Sequence, residues 1–68
     1  MTPAALKAWR KHLRLSQQAA ADALGRSRAM YQRYETGQDP IPLMMELACA
    51  AIALGIRSYD GPVQRDAA

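Results

Sequence analysis

The chain has 68 residues, half of them hydrophobic and 22% charged, with a formal net charge of +3 at pH 7. A chain this short makes one domain at most, buries only about 60% of its unfolded surface, and offers little room for a substrate pocket. A single cysteine, Cys49, and a single histidine, His12, exclude an intramolecular disulfide and a cysteine-rich zinc site. The charge is also polarised. Residues 1–37 carry seven basic groups against Asp22 and Glu35, a balance of +5, whereas residues 38–68 carry two against four acids, a balance of −2. The first half is suited to a polyanion and the second to protein.

Thr2-Pro3 opens the first predicted helix, with a hydroxyl to cap free amides and a proline where no amide hydrogen is needed. The helix runs to about Leu13, with Leu6, Trp9 and Leu13 on its inner face and Lys7, Lys11 and Arg14 away from it. Ser16 caps a second helix over Gln17 to Leu24, whose inner stripe is Ala20, Ala21 and Leu24, and Gly25 stops it. Ser27 caps a third over Arg28 to about Thr36, ended by Gly37. Two short helices joined by a glycine turn suggest a helix-turn-helix. Asp39-Pro40-Ile41-Pro42 cannot be helical and reads as a linker. The fourth helix spans Pro42 to Leu54 and is closed by Gly55. Its two apolar sets, Met44-Ala48-Ala51 and Leu43-Leu47-Ala50-Leu54, exceed one core face. The excess at Leu43, Leu47 and Leu54 marks a candidate dimer contact. This places a domain at 1–55 and a tail at 56–68, the tail containing a turn-like Tyr59-Asp60-Gly61-Pro62.

The third helix carries the functional question. At 100° per residue from Arg28, Gln32, Ala29 and Arg33 fall within about 140°, whereas Met30, Tyr34 and Tyr31 share the opposite side. The tyrosines therefore face the core rather than stack on bases, which weakens an RNA-binding reading. The outer face has major-groove chemistry: arginine pairs with guanine O6 and N7, glutamine with adenine N6 and N7, and alanine touches a thymine methyl. A solvated charged face fits the same residues, and the pattern alone leaves both open.

The stretch LSQQAAADALGRSRAMYQRYETG, residues 15–37, resembles the helix-turn-helix of the lambda-repressor and Cro-like family, also called the XRE family. The flanking helices extend the resemblance from about Leu6 to Leu54. Its marks are Arg10, Leu15-Ser16-Gln17, Ala21, Leu24-Gly25, Ser27, Glu35, Gly37 and Pro42. The resemblance implies an all-α, compact four- to five-helix domain that binds double-stranded DNA as a homodimer. It further implies a small prokaryotic or phage-encoded transcriptional repressor. Carried over residue by residue, it makes Arg28, Ala29, Gln32 and Arg33 base readers. It assigns Gln17, Ser27, Thr36, Gly37 and Gln38 to phosphate, and makes Arg10 and Glu35 a structural ion pair. Three positions depart from the family. Arg26 stands where a small aliphatic plug is usual and is read as turning to a phosphate. Arg14 occupies a position often held by glycine, and Tyr31 and Tyr34 replace aliphatics, their hydroxyls expected to reach solvent or a backbone partner.

No catalytic constellation, cofactor motif or small-molecule site is evident, so no enzyme activity is expected. Cys49 reads as a small buried hydrophobe rather than a redox sensor, and His12 as a solvated helix residue. The N-terminus has no uninterrupted apolar core, and the run Leu47 to Gly55 is far short of the roughly 20 residues that span a bilayer, so a cytoplasmic protein is expected. The runner-up is a protein-interaction module of the same fold, an antitoxin or phage-encoded adaptor whose fourth helix and tail hold a partner.

Overall fold

The computed structural model describes residues 1–62; the last part of the expected tail, 63–68, lies outside the described residues. The described residues form four helices and no strand: α1 (Pro3–His12), α2 (Gln17–Ala23), α3 (Arg28–Thr36) and α4 (Leu43–Ala53). Every boundary follows from local chemistry. The hydroxyls of Thr2, Ser16 and Ser27 accept from the amides of Ala5, Ala19 and Met30 at 3.0, 3.0 and 3.1 Å, so each of the first three helices opens on a side-chain cap. Pro42 opens α4 without one, its carbonyl accepting from Met45 at 2.9 Å. Gly25 and Gly37 take left-handed conformations, with φ of 68° and 81°, and reverse the chain after α2 and α3.

Arg14 has φ of 58° at the close of α1, a conformation that suits glycine. Its backbone amide donates to the Lys11 carbonyl at 3.0 Å and that of Leu15 to Arg10 at 3.1 Å. The tight reversal this makes leaves Ser16 in place to cap α2.

The core gathers Leu6, Ala20, Ala21, Tyr31, Tyr34, Met45 and Cys49, with Trp9, Leu15, Leu24 and Ile41 closing its edges. Ala20 and Ala21 are fully buried, and their small side chains let α3 lie close against α2 while it also packs on α1. The Trp9 indole donates to the Cys49 carbonyl at 2.9 Å, tying α1 to α4. Burial pushes the Cys49 thiol up to about 11, with the nearby Glu46 charge adding to the effect, so it stays a neutral core group.

Three expectations are corrected here. The inward stripe of α4 is Met45, Cys49 and Ile52, at spacings of four and three, and not either apolar set taken from the sequence. Met44 is 76% exposed. Met30 is 37% exposed rather than packed into the core with the tyrosines; at about 200° from Arg28 it lies at the edge of the inward face rather than at its centre. The proline segment links α3 to α4 without helix, as expected, and Ile41 within it packs against the core. The Tyr31 hydroxyl reaches neither solvent nor a backbone partner: it is buried without a hydrogen bond.

Candidate nucleic-acid interface

Packing Tyr31 and Tyr34 inward leaves Arg28, Ala29 and Arg33 on the exposed side of α3, with Gln32 half-buried at its margin. Ser27 precedes them as the N-cap, and Arg26 stands exposed in the turn. Thr36, Gly37 and Gln38 follow at the far end, also exposed. The sequence-derived candidates on α3 and its two ends thus lie on one continuous element.

Behind this face runs a polar chain that sets its geometry. Arg10 on α1 donates to Glu35 on α3 through Nε at 2.7 Å and Nη2 at 3.3 Å, and its Nη1 donates to the Leu15 carbonyl at 3.1 Å. The pair is largely shielded, with side chains 14% and 4% exposed. Gln17 Nε2 donates to Glu35 Oε1 at 3.2 Å, and Gln32 Nε2 donates to Gln17 Oε1 at 3.0 Å. An ionised carboxylate only accepts, so Gln17 must turn its NH₂ toward Glu35 and its oxygen toward Gln32. Gln32 in turn spends one N–H on Gln17 and keeps its Oε1 and second N–H for the outer face.

Burial works to raise the Glu35 carboxyl, but the Arg10 hydrogen bonds, with the Tyr31 hydroxyl and the Gln17 amide beside them, hold it below its ordinary value. The Arg10 guanidinium is correspondingly raised, chiefly by its bond to Glu35. Burial pushes the Tyr31 phenol well up, and the adjoining Glu35 charge adds to this. Tyr31 is close enough to Glu35 to feel its charge, yet no donor–acceptor geometry there qualifies as a hydrogen bond.

Arg33 is not a free side chain. Its Nε donates to Asp39 Oδ2 at 2.7 Å and its Nη2 to Asp39 Oδ1 at 3.2 Å. Sequence reading assigned Asp39 no role beyond the linker. The available signal was Gly37, whose left-handed turn folds the chain back so that a residue six positions after Arg33 returns beside it. Arg28, by contrast, makes no side-chain hydrogen bond among the described residues, and neither does Arg26. Gln17, read as a phosphate ligand, is half-buried and engaged on both sides by Glu35 and Gln32.

The family model described as a helix-turn-helix domain matches residues 4–57. The chain belongs to the helix-turn-helix domain family. The match takes in all four helices and is consistent with the resemblance to lambda-repressor and Cro-like domains. α3 is the second helix of the motif, the position that carries the recognition helix in helix-turn-helix domains that bind DNA. No curated protein and no solved structure matches the chain. Among the described residues, no helix of this helix-turn-helix domain is long and apolar enough to cross a membrane.

Proposed function

We propose that this helix-turn-helix domain is a sequence-specific, double-stranded DNA-binding transcriptional repressor that acts in the cytoplasm as a homodimer. One observation carries the reading: the exposed side of α3 presents Arg28, Ala29 and Arg33, while the aromatic side is consumed by the core. Arg28 and Arg33 read guanine edges, Ala29 lies against a thymine methyl, and Gln32 offers an acceptor and an N–H to an adenine. Arg26, Ser27, Thr36, Gly37 and Gln38 bracket these readers at the two ends of α3 and meet phosphates. Gln17 adds its remaining amide hydrogen. The DNA-binding unit is residues 1–55, with the chain from 56 as its tail.

The dimer reading rests on α4. Leu43, Leu47 and Leu54 are 67%, 60% and 78% exposed, although the helix already buries Met45, Cys49 and Ile52. Apolar surface of this kind on a small domain favours a protein contact. Two copies joined there present two α3 helices to half-sites about one helical turn apart. Hydroxyl-radical footprinting on duplex from the region upstream of the chain's own gene tests this. Two protected segments separated by about 10 base pairs are expected, and a single protected segment or none contradicts it.

The same α4 surface favours a second reading, a protein-interaction module of the same fold, an antitoxin or phage-encoded adaptor whose fourth helix and tail hold a protein partner. It would give a stable hetero-complex that persists at salt concentrations where duplex binding is lost.

A further inference from the structure

We propose that Asp39 is a positioning residue that makes Arg33 a guanine reader. The inference rests on the DNA-binding reading above and adds to it a residue outside the recognition helix.

The two bonds from Arg33 use Nε and Nη2, the side edge of the guanidinium. A guanidinium has five N–H donors in a rigid plane. Occupying the side edge leaves the end edge free, where one N–H from Nη1 and one from Nη2 point outward in parallel. That fork has the geometry that meets O6 and N7 of guanine together. The Arg33 side chain is 52% exposed and that of Asp39 is 28% exposed, so the arginine is the more open partner of the pair.

The backbone fixes this arrangement. Gly37 takes its left-handed turn, and the amides of Gln38 and Asp39 both donate to the Arg33 carbonyl, at 3.0 and 3.3 Å. The Thr36 hydroxyl donates to the same carbonyl at 3.3 Å. Asp39 is therefore anchored to the main chain of the residue whose side chain it holds. Pro40 follows and confines Asp39 to extended conformations. Held in this way, Arg33 has fewer orientations in which to satisfy one phosphate or another, and reads one base position. Arg28, with no such partner among the described residues, is left to choose among bases and phosphates.

The test is selection from a randomised duplex pool with the wild type and with the Arg33→Ala, Asp39→Ala and Asp39→Asn variants, each checked for helical content by circular dichroism. Affinity for an unselected duplex is measured alongside. The wild type is expected to enrich a guanine at a position that Arg33→Ala loses. Asp39→Ala should flatten the same position roughly tenfold or more, with Asp39→Asn intermediate, while affinity for unselected duplex holds or rises because a carboxylate is gone. A simple masking role for Asp39 predicts that the guanine preference stays intact in Asp39→Ala whatever the change in affinity, which would overturn the proposal. Retained preference in Arg33→Ala would overturn it while leaving the DNA-binding reading standing. A wild type that enriches no sequence would remove that reading, and this inference with it.

Discussion

The Glu35 carboxylate accepts from the Gln17 amide at 3.2 Å, and this contact fixes the direction of a hydrogen-bond chain that begins at Arg10 and ends at Gln32. Because the carboxylate cannot donate, both glutamines have one orientation only. A part-buried ion pair thus decides which atoms Gln32 offers at the surface, linking the stability of the fold to the chemistry of its outer face.

Glu35→Gln is expected to lower stability by about 2 to 3 kcal/mol, because it leaves the shielded Arg10 charge without its counterion. Guanidinium denaturation of the two proteins checks this. Arg10→Met, which removes the other charge, is expected to cost a similar amount by stranding Glu35 instead.

The same pair sets an acid dependence. Glu35 is held below its ordinary value of 4.5 in the folded state. Its contribution is therefore complete above about pH 4.5 and is lost as pH falls through the lower folded-state value. Thermal melts of wild type and Glu35→Gln from pH 7 to pH 3 should show a gap that narrows below pH 4.5. A gap constant across that range would contradict the assignment.

Arg14→Gly is expected to raise stability by about 0.5 kcal/mol. The left-handed conformation costs a non-glycine residue about 1 to 2 kcal/mol, and the greater unfolded-state freedom of glycine offsets part of the gain. A higher denaturation midpoint with an unchanged slope is the expected signature.

On the recognition face, Arg28→Ala and Arg33→Ala should each cost roughly 1 to 3 kcal/mol of specific binding and loosen base choice. Competition between specific and scrambled duplex reads both effects. Equal discrimination in wild type and variants would place the reading face elsewhere.

Leu47→Lys introduces a charge into the exposed apolar side of α4. Sedimentation velocity should show a dimer for wild type and a monomer for the variant, with an unchanged melting temperature for the isolated fold. A wild type that sediments as a monomer with and without DNA would contradict the dimer proposal.

What was legible in the sequence was what neighbours in sequence decide. Thr2, Ser16 and Ser27 mark helix starts and Gly25 and Gly37 mark ends, so the helices were placed to within about one residue. The inward turn of Tyr31 and Tyr34 followed from a face with clear polar contrast. In α4 that contrast is missing: the helix is apolar nearly all round, so the sequence does not say which stripe the core will cover. The Trp9 contact at Cys49 and the packing of Met45 settle it. The engagement of Gln17 by Glu35 and Gln32, and of Arg33 by Asp39, depends on side chains meeting across elements or around a reversal, which residue spacing alone does not resolve.

The central claim is that the outer face of α3 reads DNA sequence. Its most direct test is a fluorescence-anisotropy titration of labelled duplex from the gene's own upstream region, against scrambled duplex, at several salt concentrations. The account predicts tight binding with a clear preference for the natural duplex and a log–log salt slope reporting several released counterions. Weak binding, equal for both duplexes, would contradict it and mark the basic face of α3 as a solvated surface.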